Sequence, residues 1–158
     1  MFSIGDKIVH PMHGAGVVDS IVQRKINGVS RDYYVLKIPV GGMLVMIPTA
    51  SSVEIGVRPV MNREESEEII AAIPGIEVDM TQNWNRRYRE NMLRLKSGNL
   101  LEVAKVVKGL MLRDSQKGLS TGERKMLHSA KQILISEIVL AQNCSYEEIE
   151  RRIDISLV

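Results

Sequence analysis

Near Pro59 the hydrophobic spacing of this chain changes from alternation to a three-and-four rhythm, so one class of secondary structure cannot serve both halves. Before it, β-branched runs at 7–10, 17–24, 32–38 and 43–47 are separated by Gly, Pro and Asn, the pattern of a small antiparallel sheet or barrel. Asn27-Gly28 sits between two such runs and supplies the two positive φ values of a type I′ hairpin turn. Gly41-Gly42 can reverse the chain again, and Pro48, with no N–H for a ladder, should end the next strand.

Beyond Pro59 short polar side chains stand three residues ahead of a carboxylate at Asn62/Glu65, Asn99/Glu102, Ser120/Glu123 and Ser145/Glu148. In each pair the first side chain can accept an orphan N–H while the second reaches back, which marks four helix starts. Leu100, Val103, Ala104, Val107, Leu110 and Met111 form one apolar face, and Leu127, Ala130, Leu134, Ile138 and Ala141 another. Ile149 with Ile153 suggests a short last helix, and Pro74-Gly75 implies that a separate helix starts between Asp79 and Asn83 and runs to about Ser97. The expectation is an α+β chain: a small β domain over residues 1–58, then an all-α domain of about five helices over residues 59–158.

Charge is distributed unevenly along this plan. Residues 81–142 hold twelve Lys+Arg against five Asp+Glu, whereas residues 61–80 hold one against six, and the whole chain nets only +2. A basic block bounded by acidic ones is an electrostatic footprint for a polyanion. The single cysteine, Cys144, has no partner for a disulfide, which fits a reducing compartment. The first residues lack an apolar signal core, and the longest uncharged stretch, 38–53, is broken by Pro39, Gly41, Gly42 and Pro48, so a cytoplasmic protein with no membrane association is expected.

Catalytic chemistry finds little purchase. His10 and His13 flank Pro11-Met12, but the only other histidine is His128, so a zinc site lacks ligands. The Gly14/Gly16 pair precedes a strand rather than a helix N-terminus, so it cannot cradle a phosphate and reads as a structural turn. No nucleophile, base and orienter assemble, and the acidic run Glu64-Glu65-Ser66-Glu67-Glu68 suits a helix's first turn. We expect no enzyme, metal, cofactor or small-molecule substrate.

The informative stretch is Asn83-Trp84-Asn85-Arg86-Arg87-Tyr88-Arg89. On a helix Trp84, Tyr88, Met92 and Leu95 share a face, with Arg86 and Arg89 roughly opposite and Arg87 on the flank. Periodicity alone makes Trp84 part of a core stripe with a solvated basic back. The other reading has Trp84, at the first turn, projecting past the core to meet nucleic acid while the arginines hold phosphates.

Three segments together resemble the CarD/CdnL family of bacterial transcription regulators: Gly5-Asp6-Lys7-Ile8-Val9-His10-Pro11-Met12-His13-Gly14, Asn83-Trp84-Asn85-Arg86-Arg87-Tyr88, and Gly118-Leu119-Ser120-Thr121-Gly122-Glu123-Arg124-Lys125-Met126-Leu127 followed by Ala130. The resemblance implies a Tudor-like, SH3-like small β-barrel that binds the RNA polymerase β subunit. It also implies a helical domain on promoter DNA at the upstream edge of the −10 region, the two bracing the open complex. Trp84 would then wedge into the minor groove, with Arg86, Arg87, Arg89 and Arg124 at or near the DNA backbone. Arg24 matches a polymerase-facing basic position, and Met43, Leu44, Val45, Met46 and Ile47 match a strand that pairs with a strand of the β subunit. The chain departs from the family pattern at Met46, where an arginine can stand, and at His10, where tyrosine is common. The alternative is a non-catalytic adaptor whose β domain binds another protein and whose basic helices bind RNA or stay solvated. An RNA reader, however, would normally present several aromatics, and only Trp84 and Tyr88 lie near the basic block.

Overall fold

The computed structural model describes residues 1–157. Five strands form one antiparallel sheet in the order β4-β3-β2-β1-β5: β1 (Lys7–His10), β2 (Gly14–Ile26), β3 (Val29–Ile38), β4 (Met43–Pro48) and β5 (Arg58–Pro59). Asn27 and Gly28 both take positive φ, 51° and 78°, and set the β2–β3 register that the turn chemistry demands. Alternation sends Ile8, Val18, Tyr34, Leu36 and Ile38 to one face, where Ile47 and Val57 complete a small core. The α+β expectation holds, with β2 and β3 longer than their apolar runs because the hairpin arm continues as exposed strand.

A four-residue helix, α1 (Ser52–Ile55), links β4 to β5. Five helices follow: α2 (Arg63–Ala72), α3 (Trp84–Lys96), α4 (Leu100–Gln116), α5 (Thr121–Gln142) and α6 (Tyr146–Ser156). Asn62, Asn83, Asn99, Ser120 and Ser145 each cap one of them by accepting a backbone N–H. At Asn62/Glu65 the reciprocal bond is also made. The second core is aliphatic, built from α2 to α6 around Val106, Leu110, Leu134, Ile138, Ile149 and Ile153.

α5 differs from its expected single stripe. Ile133, Ile135, Ser136 and Glu137 are buried as well as Leu134 and Ile138, because the helix packs against other helices on one side and against β2 on the other. Val9 and Ala15 are cross-strand partners on the sheet face away from its own core, and this end of the face lies on α5. Gly14, with φ +105°, brings the backbone so near that an added Cβ would stand 2.5 Å from Ser136 Oγ. The Gly14 turn is therefore a docking surface for α5. Beside it the His10 and His13 rings lie 4.5 Å apart, and burial together with the neighbouring imidazole lowers the His10 pKa. No group of metal-ligating side chains gathers among the described residues. None of the described helices is long and apolar enough to cross a membrane.

Candidate nucleic-acid interface and open sheet face

Asn83 caps α3 by accepting the Arg86 N–H at 2.9 Å, which places Trp84 at the first helical position. Its indole stacks on Tyr88 one turn later, centroids 4.9 Å apart and planes 16° from parallel. Indole Nε1–H donates to Ser120 Oγ at 3.1 Å, and Gly122 lies against the edges of both rings. Periodicity alone puts Trp84 in the core stripe, but 43% of it is exposed, and of that stripe Tyr88, Met92 and Leu95 reach the helical core. The first turn of α3 extends beyond the core, so the ring is held in one orientation with much of its surface open to water.

The basic residues separate into two groups. Arg86, Arg89 and Arg124 are exposed. Arg86 makes only an i,i+4 pair with Glu90, Arg89 has no ion pair among the described residues, and Arg124 Nε donates to the Leu119 carbonyl at 3.3 Å. Arg87, expected at the DNA backbone, lies inside. Its Nε and a terminal nitrogen donate to the two Glu123 oxygens at 2.8 and 3.2 Å, and its other terminal nitrogen donates to the Gln82 carbonyl. Burial alone would raise the Glu123 pKa, but the Arg87 hydrogen bonds and charge, with Arg113 nearby, bring it below the ordinary value of 4.5. Glu123 therefore faces Arg87 rather than completing a capping box, and the pair joins the first turns of α3 and α5, the two places that carry Trp84 and Arg124.

Other cations of the basic block are also occupied. Lys105 pairs with Glu102 and Lys131 with Glu150. Lys108 is buried, its Nζ donating to the carbonyls of Ile73, Pro74 and Ile76 at 2.8 to 3.0 Å. The exposed cations of the block left without an ion pair among the described residues are Arg89 and Lys96 on α3, Lys117 ahead of α5, and Arg124 and Lys125 at the start of α5, whose cap Ser120 holds the Trp84 indole.

In the sheet, β4 pairs with β3 alone and is an edge. Ile47 is buried and Val45 packs against the sheet core, so the side chains of β4 free to meet a partner are Leu44, 62% exposed, Met46, 44% exposed, and the less exposed Met43. Register then adds a residue that sequence reading missed. Val35 faces Met46, and two and four residues back along β3 lie Tyr33 and Arg31, the latter directly opposite Arg24. Leu44, Met46, Arg24 and Arg31 therefore share one face, the same one that α5 covers at its other end. Two like charges opposed across a strand pair are unfavourable unless an anion meets them. The register alone carries this information, and in the sequence Arg31 is one more loop-edge charge.

Two family models match the chain: one described as CarD, C-terminal domain, over residues 68–154, and one described as CarD-like/TRCF RID domain, over residues 2–61. A Bacillus subtilis (strain 168) protein named "Putative transcription factor YdeB" is similar, 35% identical over 150 residues that make up 95% of this chain and 98% of that one. Among solved structures, the solution NMR structure of the 72-residue N-terminal domain of Myxococcus xanthus CarD matches 37% of this chain and 79% of its own at 27% identity, with a TM-score of 0.33.

Proposed function

The chain belongs to the CarD/CdnL family of transcription regulators, and from that premise we propose that it bridges RNA polymerase and promoter DNA. In this reading residues 1–58 hold the polymerase β subunit through the β4 edge and the face bearing Leu44, Met46, Arg24 and Arg31. Residues 59–158 meet DNA at the upstream edge of the opened −10 region through Trp84, Arg86, Arg89 and Arg124. Arg87 acts from inside, fixing the helix ends that present them. The observation that carries the reading is Trp84: a large ring, 43% exposed, oriented by Tyr88 and Ser120 and flanked by unburied arginines. An apolar wedge stabilises DNA that is already unstacked, because opening a base step costs a few kcal/mol, while the arginines add binding energy without sequence preference. The protein thus slows collapse of the open complex. Its place of work is the cytoplasm, on the polymerase.

Immobilised core polymerase tests the first half. It should retain the full chain and the Trp84→Ala variant but lose the Leu44→Asp/Met46→Asp variant, since charges on an apolar edge must be desolvated on pairing. Equal retention of all three would move the polymerase contact away from β4.

A further inference from the structure

The bridge requires that its two ends keep a fixed separation, and one buried ion pair stands where the sheet meets the helices. Glu137, 0% exposed, interrupts the apolar run of α5. Its Oε1 and Oε2 each accept from the Arg58 guanidinium of β5 at 2.7 Å, and Oε2 also accepts the Met61 N–H at 3.0 Å. Arg58 Nε donates at 3.2 Å to the carbonyl of Gly98, in the turn that follows α3. One side chain on the edge strand β5 is thereby fastened to α5 and to the C-terminal end of the helix whose first residue is Trp84. Beside this, the Ala15 N–H donates to Ser136 Oγ at 2.9 Å, where Gly14 leaves no space for a side chain.

Resting on the bridging reading, we propose that Arg58 and Glu137 are positioning residues: they lock the sheet and the helices into one rigid body, so that the β4 face and Trp84 keep a set distance and angle. Hydrophobic contact between two units is tolerant of sliding, whereas a two-pronged guanidinium–carboxylate pair is satisfied in one geometry. Glu137 fits that role because both its oxygens are committed to three donors and leave no alternative register. Every link is short and stiff: β5 pairs with β1 within the sheet, and α3 is a 13-residue helix spanning about 20 Å. A glutamine at 137 supplies a single acceptor oxygen and turns an NH2 toward donors, so the joint loses its fit while the volume stays the same.

The test places spin labels on exposed positions Lys25→Cys and Leu93→Cys, in a Cys144→Ser background, and measures the distance distribution in the free protein. Glu137→Gln is compared with the wild type, together with Arg58→Met/Glu137→Met, which replaces the pair by apolar volume and keeps the protein testable should the single variant fail to fold. We expect a narrow distribution in the wild type and one at least about twice as wide in the double variant, whose melting temperature stays close to the wild type's, an effect that a purely stabilising pair would not produce. Open complexes held by the double variant should decay roughly two- to tenfold faster, with retention on core polymerase unchanged. A double variant as narrow as the wild type overturns the proposal and assigns orientation to packing at Gly14. Should the wild type itself leave open-complex lifetime unchanged, the bridging reading fails, while the width still decides the joint.

Discussion

Replacing Trp84 with alanine separates a wedge from a core residue by magnitude. A fully buried tryptophan costs about 3–5 kcal/mol on truncation. Trp84 instead leaves 43% of its surface in water and contributes chiefly a ring stack on Tyr88 and one exposed hydrogen bond to Ser120. The stack is worth about 0.5–1.5 kcal/mol and the exposed hydrogen bond about 0.5 kcal/mol, the low end of its range, so the variant should lose about 1–2 kcal/mol of folding stability. For a chain of this length that lowers the melting temperature by roughly 2–8 °C. Removing a wedge from the bubble edge should shorten open-complex lifetime roughly five- to thirtyfold if about 1–2 kcal/mol of stabilisation is lost there. Both quantities are read on one preparation, by thermal unfolding and by decay of open complexes after a competitor challenge. A folded variant whose open complexes last as long as the wild type's would refute the wedge.

Arg86→Ala and Arg89→Ala should each reduce the steepness of salt-dependent DNA binding by about one unit, as expected for one lost phosphate contact. Arg87→Ala should instead destabilise the fold by about 3–5 kcal/mol, because it strands Glu123 in the interior, and calorimetry will show whether it does. Since the folded-state pKa of Glu123 is depressed, its contribution is complete above the unfolded value near 4.5 and is lost as pH falls through the lower folded value. Glu123→Gln should accordingly flatten the acid limb of the stability profile below about pH 4.5. Lys108→Met removes the side-chain donor from three carbonyls in the turn after α2, of which Ile73's alone keeps a backbone donor, the Ile76 N–H, and should cost about 2–3 kcal/mol in denaturant unfolding.

Much of the architecture was legible because it follows from local rules. Asn27-Gly28 demands its turn wherever it occurs, and Asn83 announces the start of α3 by capping chemistry alone. What the sequence leaves open lies where distant segments meet. Arg87 looks like its neighbours Arg86 and Arg89, and only the approach of Glu123, 36 residues on, takes it inside. Trp84 has helical spacing from Tyr88 and Met92, but periodicity does not report that the first turn reaches past the core. Arg31 gains meaning only from strand register. The joint left one signal: an acid at 137 within the otherwise uncharged run 132–146, where a carboxylate must find partners or be neutralised. A carboxylate there demands a buried cation, but which of the 21 Lys and Arg supplies it follows only from the fold, as does the covering of α5 from two sides.

Whether one molecule holds polymerase and DNA at once is read from a double-mutant cycle on open-complex lifetime. Wild type, Leu44→Asp/Met46→Asp, Trp84→Ala and the combination of all three substitutions are added to the same polymerase and promoter at matched concentrations. A bridge works only with both ends attached, so the sheet variant should abolish the stabilisation, and adding Trp84→Ala to it should shorten the lifetime no further. Additive losses, or stabilisation that survives the loss of polymerase binding, would contradict the bridge and leave two independent activities in its place.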